Sequence, residues 1–346
     1  MIDYAYLNAR VAILAERLLS ETHLAALLNQ PAGTSPLSTP GALEGNLAEL
    51  LTNNQVEHHL IEQAWLMRML DDFQILVRPL SGAARELLMY WFHKCDIANL
   101  KTIVRGKIAG LDAPAINAQL LELGKLTTLP IEQLLHTEEI SELLRRLENS
   151  PYGNIARQAR RVFEKDHQLY SLDAAIDRHY LMGIMQRIRA LDTHQRQHLL
   201  PLIGLFMDRF NLLWLLRYRF AYQLSAAETY YLLVPTPYQL NRTRLQNLVE
   251  LNSLPEVISR LPEPLYGWLQ DVEDVFSVDQ RLITQIRQVA ESTLKLHSFT
   301  LAKVFAYVLL REMEMRRVMA ILKGKRLNLK NHVITSAAEY SSALLA

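Results

Sequence analysis

The sequence contains very little of several residue types on which particular protein classes depend. Its 346 residues include one cysteine, Cys95, so an internal disulfide framework and a cysteine-rich metal site are both excluded, and a reducing compartment is indicated. Only 12 glycines and 13 prolines are present, and alternating β-branched runs are nearly absent. Leu, Ala, Arg, Glu and Gln dominate instead, which predicts an all-α protein built from long helices.

An excess of charge of either sign is also missing. Lys and Arg number 37 against 36 Asp and Glu, so the net charge is +1 and no global field favours nucleic acid or an anionic membrane. The first residues carry an acid and tyrosines where a signal peptide would be basic and then apolar. The apolar stretch 212–222 is interrupted by Arg217 and Arg219, and no window approaches the ~20 uncharged residues of a membrane span. The sequence predicts a cytoplasmic protein without direct transmembrane insertion.

The motifs that usually carry chemistry are absent or incomplete. There is no phosphate-binding glycine loop, no His-Glu-x-x-His and no Gly-x-Ser-x-Gly. Glu164 and His167 have the spacing of a di-iron ligand pair, but no second pair accompanies them, and a solvated surface is favoured. The cluster Glu57-His58-His59 with Glu62 is interpreted as a polar helix face, and Cys95 as a buried inert thiol. We therefore predict a non-catalytic protein with no metal or cofactor.

A charged unit repeats three times along the chain. Each copy has an acid, a polar residue three positions later, and basic residues nine and eleven positions after the acid. The acids lie 112 and then 106 residues apart, which indicates three modules of about 110 residues. The copies are Asp96, Asn99, Arg105, Lys107; Asp208, Asn211, Arg217, Arg219; and Glu314, Arg317, Lys323, Lys325.

Two interpretations of this unit remain open. The acid and the polar residue can form a structural network at a packed interface, where loss of one partner of a buried pair typically costs ~3–5 kcal/mol. Alternatively, the basic pairs end three equivalent helices and present a three-fold ring to a partner on the axis. Both can hold at once, because the acid can be internal while the basic end is exposed.

The modules predict three similar helical domains, at residues 1–130, 131–255 and 256–346. Each repeat helix is preceded by a potential N-cap residue, at Ser81, Thr193 and Ser298. The one extended Pro/Gly/Ser/Thr loop runs from Pro31 to Gly45.

Several motifs resemble one family. The segment from Asp96 to Arg105 is similar to its Asp-x-x-Asn-Leu-Lys-x-Ile-x-Arg signature. Three further segments match in the same order: the opening Tyr4–Val11, the central Asp173–Tyr180 and the closing Phe305–Lys325. Together they cover essentially the whole chain. The sequence thus resembles the C subunits of the archaeal and bacterial V/A-type ATPases, a family that includes the d subunit of the eukaryotic V-ATPase.

The resemblance implies a specific architecture and role. Members of that family are funnels of three similar helical domains about a pseudo-three-fold axis, and they bind no nucleotide. One copy sits as a socket between the central-stalk subunits and the cytoplasmic end of the membrane proteolipid ring. The implied function is to transmit torque between ATP chemistry and proton or sodium movement, at the membrane but not in it.

Two alternatives remain from the residues themselves. A helical-repeat scaffold or adaptor would stack the modules along a line instead of closing them around an axis. A helical enzyme with an unrecognised site is the second, and no residue pattern supports it.

Overall fold

The computed structural model describes residues 4–29 and 58–340. Within these ranges the chain is helical and contains no β-strand, so the all-α prediction is confirmed. The loop predicted at Pro31–Gly45 lies outside the described residues.

The described helices are numbered here in chain order. The first nine are α1 Tyr4–Ala15, α2 Glu21–Asn29, α3 His58–Val77, α4 Gly82–Ile108, α5 Ala113–Asn117, α6 Ile131–Leu135, α7 Ile140–Arg146, α8 Gly153–Asp166 and α9 Leu169–Arg189. The remainder are α10 Thr193–Leu216, α11 Ala226–Leu232, α12 Arg242–Val249, α13 Leu254–Ser259, α14 Leu265–Leu269, α15 Val275–Leu296, α16 Leu301–Arg326 and α17 Asn331–Tyr340.

Three pairs of long helices organise the chain. In each pair a leading helix (α3, α9 or α15) is followed within a few residues by a repeat helix (α4, α10 or α16) that carries one copy of the charged unit. Shorter helices follow each repeat helix. Buried Leu, Ile, Val and aromatic side chains from all three pairs form one continuous core, and this burial is the main stabilising term.

The beginnings of the repeat helices agree only partly with the predicted caps. Ser81 is the N-cap of α4, as predicted, although its side chain makes no capping hydrogen bond. The predictions of Thr193 and Ser298 were wrong, because α10 is capped by Asp192 and α16 by Thr300. In both cases the side-chain oxygen accepts the main-chain N–H three residues on, which is the bond that defines a cap.

The two ends of the chain pack against each other. Leu7, Val11 and Leu14 of α1 belong to the same core as α16, and Leu24 and Leu27 of α2 pack with Val318 and Ile321 of α16. Lys303 of α16 donates a hydrogen bond of 2.9 Å to the Asn8 side chain. The predicted ranges 1–130, 131–255 and 256–346 stay predictions, while these contacts place residues 4–29 beside the last repeat helix.

One described helix has the length and hydropathy of a membrane span. It runs from Thr193 to Ala221, and 83% of its apolar window is buried inside the protein. The helix is interrupted by Arg196, Asp208 and Arg209, so it contains no run of the ~20 uncharged residues that the sequence analysis considered. Burial among neighbouring helices is the structural reason for the apolar composition of α10.

Candidate functional site at the three repeat helices

Asn99 and Asn211 make the same contact in the first two copies of the repeat. The Asn99 amide donates to the carbonyl of Leu121 (2.9 Å) and accepts from the same residue's N–H (2.7 Å). Asn211 makes the equivalent pair with Val234, at 2.8 Å in both directions. Each side-chain amide thus forms hydrogen bonds with both the N–H and the C=O of one residue, which lies 22 or 23 positions downstream.

The acidic residues of these two copies bind main-chain N–H groups a few residues further along the same segment. Asp96 accepts from the main-chain N–H of Thr128 (3.2 Å) and from the Tyr152 hydroxyl. Asp208 accepts from the main-chain N–H of Gln239 (3.2 Å) and Leu240 (3.1 Å). Both carboxylates are buried, and burial raises the pKa of Asp208 to about 7 despite these donors.

In the third copy the equivalent bonds reach the other end of the chain. Glu314 is buried and accepts a 2.5 Å hydrogen bond from the N–H of Leu19, just before α2. Its other oxygen pairs with Arg311. Arg317, which occupies the position of the two asparagines, donates two hydrogen bonds of 2.6 and 2.7 Å to Glu21 in the first turn of α2. Residues 19–21 therefore occupy the place taken by downstream residues in the first two copies.

The predicted basic residues Lys107 and Arg219 bind main-chain carbonyls. The Lys107 ammonium donates to the carbonyl of Leu135 (2.9 Å) and to that of Thr137, at the end of α6. Arg219 donates to the carbonyl of Val249 (2.7 Å), the last residue of α12. A cation at a helix C-terminus satisfies terminal carbonyls and opposes the negative end of the helix dipole. Each of these side chains thus joins the C-terminal end of a short helix to the end of a repeat helix.

In the third copy of the repeat, Lys325 occupies the position that corresponds to Lys107 and Arg219. Burial lowers its pKa, as it does that of Lys107. The physical cause is the same at both residues, since a partly desolvated ammonium favours its neutral form.

The other predicted basic residues are more exposed. Arg105 is 50% exposed and pairs at 2.7 Å with Asp173 of α9. Arg217 and Lys323 are also exposed, at the ends of α10 and α16. A surface pair such as Arg105–Asp173 contributes about 0–1 kcal/mol, so it leaves the arginine available to a partner.

In the first and third copies of the repeat, the residue between the two basic positions is a glycine, and another helix approaches it closely. A Cβ atom on Gly106 would lie 2.6 Å from Cγ1 of Ile116 in α5, and one on Gly324 would lie 2.6 Å from Cγ1 of Ile334 in α17. Only glycine permits these contacts. In the second copy the position is Tyr218, and here the helix widens into a π-turn over Arg217–Ala221.

Three buried ion pairs, none of which the repeat pattern predicts, join each repeat helix to the leading helix of another helix pair. Lys101 of α4 lies 2.6 Å from Asp177 of α9, and Arg209 of α10 lies 2.5 Å from Asp279 of α15. Arg311 of α16 lies 3.4 Å from Asp72 of α3, which also accepts from the Tyr307 hydroxyl at 2.6 Å. The first repeat helix is joined to the leading helix of the second pair, the second repeat helix to that of the third pair, and the third repeat helix to that of the first pair.

A further buried pair lies where α4 and α16 meet. Lys94 pairs with Glu312, which also accepts from the Trp91 indole at 3.1 Å. Trp91 in turn contacts Phe206 of α10, with ring centroids 5.1 Å apart, so all three repeat helices meet here. Sequence reasoning thus missed charged residues that lie on otherwise apolar helix faces. The signal that could have identified them is the interruption of an apolar face by a charged residue.

The side chains weighed as chemical candidates have ordinary surroundings. Glu164 and His167 are exposed, and Glu164 pairs with Arg160 at 3.5 Å. Cys95 is buried, and burial raises the pKa of its thiol to about 12, so thiolate chemistry is disfavoured. The side chains of Glu57, His58 and His59 lie outside the described part of the structure. Within that part, no group of three His, Cys, Asp or Glu side chains could hold a metal ion.

Comparison with known proteins agrees with this arrangement. The family model described as ATP synthase (C/AC39) subunit matches residues 7–337. The chain belongs to this family. The match includes all three repeat helices and the N-terminal segment that contacts the last of them, so the resemblance to the C subunits of V/A-type ATPases is confirmed.

Several archaeal proteins, each named as the C subunit of an A-type ATP synthase, are similar to the chain over most of its length. The protein of Methanocaldococcus jannaschii is 24% identical, over 97% of this chain and 86% of its own. That of Methanothermobacter thermautotrophicus is 24% identical over 94% and 85%, and that of Thermococcus kodakarensis 24% over 92% and 86%. These are similarities of nearly whole chains, as expected for a subunit of an A/V-type ATP synthase.

Proposed function

We propose that this chain is a non-catalytic rotor subunit that couples the central stalk of an A/V-type ATPase to the membrane proteolipid ring. The single observation that carries the proposal is the cyclic order of the buried ion pairs Lys101–Asp177, Arg209–Asp279 and Arg311–Asp72. It joins the three pairs of long helices head to tail and then the last pair to the first. A closed arrangement of this kind supports the funnel with a pseudo-three-fold axis that the family resemblance implies.

The contacts also weigh against a linear scaffold. In an open solenoid each repeat contacts only its neighbours, so the terminal repeats lie apart. Here Glu314 binds Leu19, Arg317 binds Glu21 and Lys303 binds Asn8. Long helices joined by buried ion pairs, without an assembled catalytic group among the described residues, suit a part that transmits torque as one body.

The exposed basic ends are the proposed contacts with other subunits. Lys107 and Arg219 are engaged with carbonyl groups inside the chain, which leaves Arg105, Arg217 and Lys323 as the members that a partner could reach. The chain would be present in one copy per complex, on the cytoplasmic side of the membrane. Proton or sodium movement and the making or use of ATP would then belong to the other subunits.

Charge reversal of the three exposed residues tests this proposal. We expect Arg105→Glu/Arg217→Glu/Lys323→Glu to keep its helical circular dichroism but to be lost from the complex isolated from detergent-solubilised membranes. The matched control reverses three exposed arginines elsewhere, Arg145, Arg260 and Arg281, and should remain assembled. Retention of the first variant at the wild-type level, or purification of wild type without any rotary-ATPase subunit, would refute the assignment.

A further inference from the structure

Two cavities lie on adjacent faces of the leading helix α9. One, of about 540 Å³, lies between α9 and the segment that contains α11, and the other, of about 490 Å³, lies between α9, the start of α8 and Tyr90. Both cavities are lined by Met182 and Arg189, which lie seven positions apart on one exposed stripe of α9, so the two cavities adjoin along that stripe. We call this surface the α9 groove. From Arg178 to Arg189 it follows about three helical turns, or roughly 16 Å.

The α9 groove is lined by four arginines and by no acidic residue. The arginines are Arg178, Arg187, Arg189 and Arg242. None of them forms an ion pair with any residue of the described ranges 4–29 and 58–340. By contrast, the buried arginines Arg209 and Arg311 both pair with carboxylates. The groove therefore concentrates positive charge in a chain whose net charge is only +1.

Two of these arginines are held in place without a counter-charge. The Arg187 guanidinium lies 3.7 Å from the ring centroid of Tyr90 and donates to the carbonyl of Gly183 at 3.1 Å. The Arg178 guanidinium lies 5.2 Å from the ring centroid of Tyr231 and donates to the carbonyl of Leu233 at 3.3 Å. Aromatic stacking fixes the planar groups and keeps their positive charge. Partly buried cations in this state are stabilised by an added carboxylate.

The shape and the apolar lining of the α9 groove limit which anionic ligands it can bind. Four charges spread over roughly 16 Å cannot converge on one phosphate. Two cavities interrupt this surface, so a flat lipid surface would not reach their buried lining, which includes Met185 and Val234, whereas Met182 is exposed between the two cavities. Methionine side chains adapt to the varied apolar residues of a bound helix.

We propose that the α9 groove binds an acidic amphipathic helix of a partner protein. Apolar side chains of that helix would pack on the methionines, while Glu or Asp residues on its flanks pair with Arg178, Arg187, Arg189 and Arg242. This inference goes beyond the proposed rotor role and does not depend on it, because it rests on the charges and shape of the groove alone.

The test uses the full chain and a defined probe. A fluorescently labelled helix-forming peptide of about 18 residues, with Leu on one face and Glu on the flanks, is titrated with the protein and followed by anisotropy. We expect binding that weakens with salt. The variant Arg189→Gln/Arg242→Gln should bind at least about tenfold more weakly, which corresponds to about 1.4 kcal/mol. Both positions are exposed, so the fold is retained, and Arg145→Gln/Arg281→Gln is the matched control.

Further arms distinguish the other anions. The same peptide with Lys in place of Glu, and a scrambled peptide of the original composition, should both bind at least about tenfold more weakly than the probe. Equal affinity of the two double variants for the acidic peptide would overturn the proposal. So would equal binding of the lysine or scrambled peptide, or displacement by polyuridylate or inorganic phosphate beyond the effect of matched ionic strength.

Discussion

The first two copies of the repeat differ from the third in where their polar side chains bind. Asp96 and Asp208 hold main-chain groups 32 residues downstream, at Thr128 and Leu240, whereas Glu314 holds Leu19 at the opposite end of the chain. The chemistry is the same in all three, a buried carboxylate that accepts a main-chain N–H. We infer from this difference that the N-terminal segment completes the last module and that the chain closes on itself there.

Of the changes that test this comparison, removal of residues 1–29 should have the largest effect on the stability of the protein. The deletion takes away five buried side chains, Leu7, Val11, Leu14, Leu24 and Leu27. At about 1.5–3 kcal/mol each, their burial is comparable to the whole stability of a typical domain. We expect the deleted chain to lose cooperative thermal unfolding in calorimetry.

A circular permutant is the matched control for that deletion. In it, residue 346 is linked to residue 1 and the chain is opened between residues 57 and 58. If the N-terminal segment belongs to the last module, this chain should unfold cooperatively near the wild-type midpoint. Normal unfolding of the deletion variant, or failure of the permutant to fold, would contradict closure.

Truncation of the three carboxylates should have intermediate effects. Asp96→Ala, Asp208→Ala and Glu314→Ala each leave buried donors without an acceptor, and we expect a loss of about 2–4 kcal/mol in the free energy of unfolding, measured in urea. Only Glu314→Ala should also speed proteolytic removal of the N-terminal segment. Equal release of that segment in all three variants would mean that Glu314 has no special relation to Leu19.

A further expected effect is a pH dependence at Asp208, which is spread over the range between about pH 4 and 7. Burial raises the pKa of this carboxyl from 3.8 to about 7, so between those values the folded protein holds a proton that the unfolded chain has released. The stabilisation is present below pH 3.8, falls as pH rises through this window, and is lost above pH 7. Relative to Asp208→Asn, wild type should lose stability between about pH 4 and 7 in denaturant titrations. An unchanged difference across this range, with exposed Asp271→Asn as control, would be inconsistent with the raised pKa.

Part of this architecture was visible in the sequence because it depends on spacing within one helix. The pattern of Asp96, Asn99 and Lys107 identified the repeat helices, and low glycine and proline content predicted the all-α class. Partners such as Leu121, Thr128 and Leu135 could not be predicted, since they contribute main-chain groups that carry no side-chain signal.

The contacts between the helix pairs could not be predicted from the sequence for a different reason. Asp72, Asp279 and Glu312 interrupt apolar helix faces, but the cation that pairs with each of them lies on another helix, and the pattern of one helix does not identify it. The α9 groove is likewise assembled from α9, Tyr90 and the segment from Ala227 to Arg242, which are distant in sequence.

Amide hydrogen exchange at Leu19 is the most direct measurement of closure. In wild type its N–H donates to Glu314, so it should be protected to a similar degree as the N–H groups of Thr128 and Leu240, and Glu314→Ala should remove the protection of Leu19 alone. Exchange of the wild-type Leu19 amide at the rate of an unstructured peptide would contradict an N-terminal segment that completes the third module.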